Sequence, residues 1–166
     1  EVVIRNIAAG SLTKRLGIPS GEKLNRTIVE FYYKDDALQD PLVSEEHIIT
    51  FGWASQNELD EITSLALRIN DFLAGYFSAI KIQLVDFKIE FGRLYKNDEV
   101  YVVLADEISP DSCRLWDSQT KQKMDKDVYR ENSGYLLDGY NEVAKRMGLL
   151  TQNGTSKNKK PTLVKG

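Results

Sequence analysis

The chain has very few of the side chains that most often carry nucleophilic or zinc-dependent catalysis. Its 166 residues include one cysteine, Cys113, and one histidine, His47. A single cysteine cannot form an internal disulfide, and this pair cannot supply a zinc site or a catalytic triad. No neighbouring histidine motif would activate Cys113, so we expect a small filler side chain rather than a nucleophile. His47 stands in a polar S-E-E-H stretch, and we expect it to be exposed.

Excess positive charge and long apolar runs are also absent. The chain has 22 basic and 25 acidic residues, a formal net charge of -3 and a sequence pI near 5.3. This balance leaves no excess of positive charge of the kind that nucleic-acid-binding proteins use. No apolar run is long enough to span a bilayer, so we expect no membrane partner. With 42% hydrophobic residues, the chain is long enough to bury one sizeable core. The composition is typical of a cytoplasmic α/β enzyme.

A strictly alternating segment, V-D-F-K-I-E-F, occupies residues 85–91. Side chains two apart on a strand point the same way, so the pattern predicts a strand with one apolar and one charged face. The apolar face consists of Val85, Phe87, Ile89 and Phe91. The charged face carries Asp86, Lys88 and Glu90. From this pattern alone, a solvated outer face of an edge strand is an equal alternative to a functional surface.

A second apolar segment at residues 100–105 predicts a hairpin with the first. If Asn97 and Asp98 are the central turn residues, Glu90 lies opposite residue 105 and Asp106 is one step beyond. Two carboxylates then converge at one end of the hairpin. Such oxygen ligands suit Mg²⁺, which commonly takes only one or two protein carboxylates. Lys88 beside them is placed to hold a phosphate.

An acidic stretch without a regular period, D-E-I-S-P-D-S-C-R-L-W-D, follows at residues 106–117. We interpret it as a loop, and loops on a rigid scaffold often carry function. The alternative is a solvated surface loop anchored by a buried Leu115-Trp116 pair. Arg114 is its strongest binding candidate, because the planar guanidinium matches carboxylates and phosphates better than an ammonium does.

The beginning of the chain predicts a weaker anion site. Residues 1–7 form a short apolar strand that leads through A-A-G-S into a helix ending at Gly17. Ser11 is the predicted N-cap. The free amides of the helix start, with Arg5 nearby, would bind an anion. Many strand-to-helix turns look similar and bind nothing.

The remaining periodic segments predict scaffold. Ser55 to Glu58 form a capping box that opens the longest helix. Its buried stripe is predicted to be Leu59, Ile62, Ala66, Ile69, Leu73, Tyr76, Phe77 and Ile80. Residues 27–33 predict a strand, and residues 129–147 predict a second long helix. Its inward side chains would be Leu136, Leu137, Tyr140, Val143, Ala144 and Met147.

Five segments in chain order resemble the SAICAR synthetase family, the phosphoribosylaminoimidazole-succinocarboxamide synthases of purine biosynthesis. They are R-N-I-A-A-G-S (5–11), K-D-D-A-L-Q-D-P (34–41), L-V-D-F-K-I-E-F-G (84–92), D-E-I-S-P-D-S-C-R-L-W-D (106–117) and M-D-K-D-V-Y-R (124–130). One such motif is modest evidence, whereas five in order make coincidence improbable.

The resemblance implies an α/β (α+β) fold: a two-lobe, kinase-like architecture with an ATP cleft between the lobes. Residues 1–150 would form the larger, C-terminal lobe, and residues 151–166 a flexible, lysine-rich polar tail. The sequence begins without methionine, inside what resembles a family strand. We therefore expect the N-terminal lobe to be missing from this sequence.

The resemblance further implies an ATP-dependent ligase that joins L-aspartate to the carboxylate of CAIR, the carboxyaminoimidazole ribonucleotide. The products would be SAICAR, ADP and phosphate, formed through an acyl phosphate. Its substrates would be ATP, CAIR and L-aspartate, its metal Mg²⁺, and its assembly a possible homodimer. Phosphoryl transfer needs mainly positioning and charge neutralisation from the protein, which suits a cluster of acids and bases.

Carried over by position, the resemblance assigns roles to single residues. Glu90 and Asp106 would bind Mg²⁺ near the nucleotide phosphates, with Lys88 as a catalytic phosphate contact and Asp86 as a catalytic or orienting acid. Glu1 resembles an acid that helps a metal hold the CAIR carboxylate. The implied substrate-binding residues are Arg5, Ser11, Asp36, Asp40, Asp111, Arg114, Lys126 and Arg130. A solvated helix face explains Lys126 and Arg130 equally well, and an Asx turn before Pro41 nearly accounts for Asp40.

Two rival functions explain part of the pattern. Asp86-Phe87-Lys88 also matches the acid-x-Lys strand element of metal-dependent nucleases, but a nuclease would need a basic surface for DNA. A non-catalytic CAIR-binding fragment would retain the substrate face without turnover. Release of ADP that requires both CAIR and aspartate would separate the ligase from both rivals.

Overall fold

An antiparallel sheet forms the centre of the structure, a computed structural model that describes residues 1–131 and 134–150. The strands are β1 (Val2–Ile7), β2 (Lys23–Tyr32), β3 (Leu42–Val43), β4 (Ile82–Lys96), β5 (Glu99–Ala105) and β6 (Cys113–Asp117). Their order is β3-β2-β1-β4-β5, and β6 pairs with the first half of β4. The tail predicted at residues 151–166 lies outside the described residues.

Helices connect or follow the strands, and the longest of them packs against β1 and β4. They are α1 (Gly10–Leu16), α2 (Glu45–Thr50), α3 (Gln56–Ala79), α4 (Asp127–Arg130) and α5 (Leu136–Arg146), with a 3₁₀ turn at Asp36–Leu38. The main core lies between α3 and the strands β1 and β4, where Phe87, Ile4 and Leu59 are fully buried. None of the helices within the described residues is long and apolar enough to cross a membrane.

Local signals in the sequence predicted several elements correctly. The capping box of α3 is present, with the Ser55 hydroxyl and the Glu58 carboxylate each accepting from the other's backbone N–H. In the hairpin of β4 and β5, Asn97 and Asp98 both have positive φ, and Glu90 pairs with Ala105 as predicted. His47 is exposed, as expected.

The alternation of β4 is interrupted by a β-bulge that the sequence did not predict. The register with β6 shifts between Leu84 and Asp86, which leaves Val85 as the extra residue. Leu84 and Phe87 therefore both face the main core, whereas Val85 packs in a separate cluster with Ile7, Ala9 and Trp116. Our assignment of Val85 to the face of Phe87 was wrong, and the bulge sets the direction of Asp86.

Other predictions are wrong where contacts between distant parts of the chain determine the secondary structure or the burial of a side chain. Residues 113–117 form a strand rather than part of a loop. The single helix predicted over residues 129–147 is two helices, and α5 approaches the backbone of Met124 so closely that a Cβ at Gly139 would lie 3.0 Å from the Met124 Cα. Tyr76, Leu137 and Met147 were predicted to face inward but are exposed.

Candidate active site

A cavity of about 300 Å³ opens on the charged face of the sheet, opposite the main core. Arg5 of β1 pairs with Asp86 of β4, and Asp86 pairs with Arg114 of β6. These three side chains therefore stand in a row across neighbouring strands. Lys88 follows two residues after Asp86 and lines the same cavity.

Asp86 is the buried acid at the centre of this row, with 3% of its surface exposed. Its carboxylate accepts hydrogen bonds from Arg5 Nη1 at 2.9 Å and from Arg114 Nη1 at 3.0 and 3.1 Å. Burial raises the pKa of Asp86, and the two guanidinium groups act in the opposite direction. Both carboxylate oxygens are engaged, so the arrangement suits an orienting acid better than a general base.

Arg5 connects the cavity to strand β2. Besides Asp86, its guanidinium donates to Glu30 Oε2 at 2.7 Å, to Ser11 Oγ at 3.0 Å and to the Tyr32 hydroxyl at 3.1 Å. Only 2% of Arg5 is exposed. A ligand could bind Arg5 only by exchanging one of these protein partners, so we interpret its main role as holding Asp86 and Ser11 in place.

The Ser11 hydroxyl serves this contact instead of capping a helix. Helix α1 begins at Gly10, its N-cap is Ala9, and no side chain caps it. The N-cap prediction for Ser11 was wrong, because the buried guanidinium of Arg5 recruits the hydroxyl as an acceptor. Ser11 still lines the cavity, as predicted.

Arg114 spans the cavity between two acids. Its Nε donates to Asp127 Oδ2 at 2.6 Å, while Nη1 contacts Asp86, and 20% of its side chain is exposed. Burial lowers the pKa of Arg114, but Asp86 and Asp127 more than offset this, so the net pKa is raised. The guanidinium passes directly over Gly10, where a Cβ would lie 2.5 Å from Nη2.

This close approach gives a testable prediction for Gly10→Ala. Gly10 has φ +57°, and Gly17 has φ +67° with nothing within 4 Å of an added Cβ. Left-handed backbone alone costs alanine about 1–2 kcal/mol at either site. We expect Gly10→Ala to lower the free energy of unfolding by about 1–3 kcal/mol more than Gly17→Ala does, because Arg114 is held by two acids and cannot move freely out of the way of the new methyl group.

Urea unfolding of the two variants would measure this difference. Gly17→Ala is the matched control, because it carries the backbone strain without the clash. Equal losses of unfolding free energy would show that the Arg114 guanidinium moves aside at no cost.

A second group of charges continues along the sheet from Lys88. The Lys88 Nζ donates to Glu1 Oε2 at 2.9 Å and lies 3.8 Å from Glu90 Oε1. Lys34 also donates to Glu90. The hydrogen bond to Glu1 is the main cause of the raised pKa of Lys88, so the ammonium stays charged at neutral pH. The Asp106 side chain is exposed and accepts from its neighbour's amide at 2.8 Å.

The predicted metal ligands are acids of the right kind but are not assembled around a common point. Among the described residues, no three His, Cys, Asp or Glu side chains form a group that could hold a metal ion. Glu90 is paired with Lys34 and Lys88 instead. Two carboxylates near one hairpin end still match the preference of Mg²⁺ for few protein ligands, with water and phosphate filling the rest.

The other predicted residues divide into two groups. Asp40, Asp111 and Arg130 line the cavity. Asp36 is exposed in the 3₁₀ turn and does not line the cavity. Lys126 does not line it either, but its Nζ lies 3.9 Å from Oδ1 of the lining residue Asp111. The Asx turn of this segment belongs to a different acid, Asp35, whose side chain caps the 3₁₀ turn, while Asp40 accepts from the Asp35 amide at 2.9 Å.

Three residues of the network were missed by sequence reasoning. Glu30 and Tyr32 hold Arg5, and Asp127 holds Arg114. The alternation in T-I-V-E-F-Y-Y places Glu30 and Tyr32 on one face of β2, so a signal existed. Asp127 stands inside M-D-K-D-V-Y-R, a motif in which the family resemblance assigns roles only to the basic residues Lys126 and Arg130.

Cys113 lies at the wall of the cavity but is not equipped for nucleophilic chemistry. It is buried, and burial raises its pKa to about 12. The thiolate, which is the reactive form, is therefore scarce at neutral pH. This agrees with the expectation of a filler side chain.

The arrangement as a whole can bind an anionic ligand with several charged groups. Guanidinium donors from Arg114 and Arg130 meet at one part of the cavity, and the Lys88 ammonium stands at another. Acids separate the bases, so each base is held in place before a ligand arrives. Such a preorganised site favours positioning and charge neutralisation over covalent catalysis.

Comparison with known proteins gives matches along nearly the whole chain. The family model for SAICAR synthetase matches residues 1–147. The phosphoribosylaminoimidazole-succinocarboxamide synthase of Sinorhizobium medicae is 62% identical over 165 residues, which are 99% of this chain and 65% of that protein. The homologue from Acidiphilium cryptum is 61% identical over 161 residues, 97% of this chain and 63% of that protein.

Solved structures agree with these sequence matches. The crystal structure of the synthase from Ehrlichia chaffeensis matches with a TM-score of 0.86 at 49% identity, over 90% of this chain and 63% of that chain. A SAICAR synthetase in complex with ADP matches with a TM-score of 0.83 at 48% identity, over 88% of this chain and 61% of that one. These matches confirm the predicted fold class. The chain spans about 65% of the length of the curated relatives that it matches, and it belongs to the SAICAR synthetase family.

Proposed function

We propose that this chain carries the substrate-binding and phosphate-binding part of an ATP-dependent ligase of purine biosynthesis. The enzyme joins L-aspartate to the carboxylate of CAIR and releases SAICAR, ADP and phosphate. One observation supports this most strongly: residues from separate motifs of the family line a single cavity. They are Arg5, Ser11, Asp40, Asp86, Lys88, Asp111, Arg114 and Arg130, and Glu1, which lies outside the motifs, joins them in the lining.

The proposed chemistry proceeds in two steps. A carboxylate is a poor electrophile, so a CAIR carboxylate oxygen first attacks the γ-phosphorus of ATP, forming an acyl phosphate and releasing ADP. The aspartate amine then attacks the acyl carbon, an amide forms, and inorganic phosphate leaves with the original carboxylate oxygen. Both steps require alignment of anionic groups, for which the protein supplies fixed positive charge.

The site residues fall into two functional groups in this proposal. Arg114, Arg130 and Ser11 bind the CAIR ribonucleotide, and Arg5 and Asp86 keep them oriented. Lys88 neutralises charge on the transferred phosphoryl group. The Lys88 ammonium is held between Glu1 and Glu90, next to the residues that bind the CAIR ribonucleotide.

Magnesium belongs to the same proposal. Glu90 and Asp106 would hold Mg²⁺, and Glu1 would bring a further acid close to the CAIR carboxylate. When bound, the ion neutralises the nucleotide phosphates. Glu90 must then exchange its contact with Lys34 for the metal.

A homodimer in the cytoplasm is also part of this proposal, and light scattering of the purified chain tests the assembly.

The experiment that tests the function measures ADP release by this chain with ATP and Mg²⁺. We expect sustained ADP release over many turnovers only when CAIR and L-aspartate are both present, with SAICAR formed in equal amount. Release at the same rate without aspartate would contradict the ligase. Binding of CAIR with no ADP release would favour a non-catalytic CAIR-binding fragment.

A nuclease explains the site less well. Its acid-x-Lys motif requires Asp86 to bind a metal, but both Asp86 oxygens accept hydrogen bonds from arginines. The net charge of -3 also supplies no basic surface for DNA. Incubation of the chain with DNA and Mg²⁺ should therefore give no cleavage.

A further inference from the structure

Asp127 holds two arginines of the cavity at once. Its Oδ2 accepts from Arg114 Nε at 2.6 Å, and its Oδ1 accepts from Arg130 Nη1 at 2.8 Å. The Asp127 side chain is only 9% exposed, while Arg130 is 52% exposed at the cavity edge. A single buried carboxylate therefore sets the spacing of two cationic groups that come from different elements, β6 and α4.

The backbone of Asp127 is itself held by a second buried acid, Asp125. Asp125 Oδ1 accepts from the Asp127 amide at 2.8 Å, and Asp125 Oδ2 accepts from the Leu115 amide at 2.8 Å. Leu115 is the residue next to Arg114 in β6. The backbone of Arg114 and that of its partner Asp127 are thus tied to one common side chain, which leaves the Asp127-Arg114 pair little freedom.

Within the described residues, this geometry leaves part of each guanidinium without an acceptor. Arg114 gives Nε to Asp127 and Nη1 to Asp86, and Nη2 has no acceptor among the described residues. Arg130 donates only through Nη1 to acceptors within residues 1–131 and 134–150, the described part of the chain. A guanidinium held at one edge presents the rest of its planar fork in a fixed direction, which is the geometry that recognises a phosphate or carboxylate.

We propose that Asp127 is the positioning residue of the CAIR site, and that it orients Arg114 and Arg130 toward one anionic group of the ligand. This inference rests on the proposed function. Asp127 also separates two like charges that would otherwise repel each other across the cavity. Without it, both the direction of Arg114 and the spacing of the pair are lost.

Titration of CAIR into this chain by calorimetry, with Mg²⁺ present, tests the inference through Asp127→Asn. The control is Asp71→Asn, which makes the same change of charge at an exposed site on α3. We expect Asp127→Asn to weaken CAIR binding by about ten- to hundred-fold, the range for losing a charged hydrogen bond. Asp71→Asn should bind as the wild type does.

A second measurement needs no ligand. In the nuclear magnetic resonance spectrum of the free chain, the Nε–H of Arg114 should exchange slowly with water, because it is bonded to a buried carboxylate. This protection should be lost in Asp127→Asn and kept in Asp71→Asn. If Asp127→Asn fails to fold, Asp127→Glu keeps the charge but displaces the carboxylate from Arg114 Nε, and it should show the same loss of CAIR affinity and of Nε–H protection.

The outcomes separate the two proposals. A folded wild-type chain that does not bind CAIR would count against the proposed function. Unchanged CAIR affinity in Asp127→Asn, or an Arg114 Nε–H that stays protected there, would overturn the positioning role. Weaker binding together with lost protection, in a variant that circular dichroism shows to be folded at the temperature of the titration, would establish that Asp127 acts through the arginines and not through loss of the fold.

Discussion

Replacement of Asp86 by alanine is expected to lower the free energy of unfolding by about 3 kcal/mol. Removing one partner of a buried ion pair typically costs about 3–5 kcal/mol, because the remaining charge stays buried without compensation. Here two arginines lose an acceptor, but Arg5 keeps Glu30 and Arg114 keeps Asp127. The retained acids place the expected loss at the lower end of the range.

Urea unfolding followed by circular dichroism measures this loss. Asp71→Ala is the control, since substitutions at exposed sites of this kind usually change stability by no more than about 0.5 kcal/mol. A loss below about 1 kcal/mol for Asp86→Ala would mean that Glu30 and Asp127 alone compensate the two arginines. The central role given to Asp86 would then be wrong.

Replacement of Lys88 by methionine is expected to lower kcat of the proposed ligase by about 10²–10³-fold. Loss of one preorganised donor to developing charge costs this much in other enzymes. Lys88 is suited to that role because its ammonium is held between Glu1 and Glu90 and remains partly exposed to the cavity. The fold should tolerate the change, since the side chain does not contribute to the buried core.

Steady-state ADP release with both substrates measures the effect of Lys88→Met. Lys14→Met, at an exposed position of α1, serves as the control. A rise in KM with unchanged kcat would show that Lys88 binds the ground state and the transition state equally. That result would contradict its proposed part in phosphoryl transfer.

Short-range patterns in the sequence predicted the parts of the site that lie on one element. Alternation placed Asp86, Lys88 and Glu90 correctly on one face of β4, and the Asn97-Asp98 turn gave the right hairpin register. Both depend on backbone geometry within a few residues. The same reasoning failed at Val85, because a bulge arises from pairing with β6 and leaves no mark on β4 alone.

Partners that are distant in the chain could not be predicted in this way. Ser11 matched the pattern of an N-cap, but a buried guanidinium took its hydroxyl. Glu30 and Asp127 are ordinary acids until the fold brings Arg5 and Arg114 to them. The family resemblance supplied the basic residues of the cavity and the acids Glu1 and Asp86, whereas Glu30 and Asp127, which hold Arg5 and Arg114, became visible only in the structure.

The pairing of charges in the cavity also has a kinetic consequence. Its lining carries as many acidic as basic side chains, so it has no net charge to attract a ligand from a distance. Electrostatic steering requires an unbalanced field, and its rate gain falls steeply with ionic strength. Association of an anionic nucleotide with this face should therefore depend little on salt. Its speed would be set by how quickly the Lys88 ammonium exchanges Glu1 for the incoming ligand, while Asp127 keeps its two arginines in place.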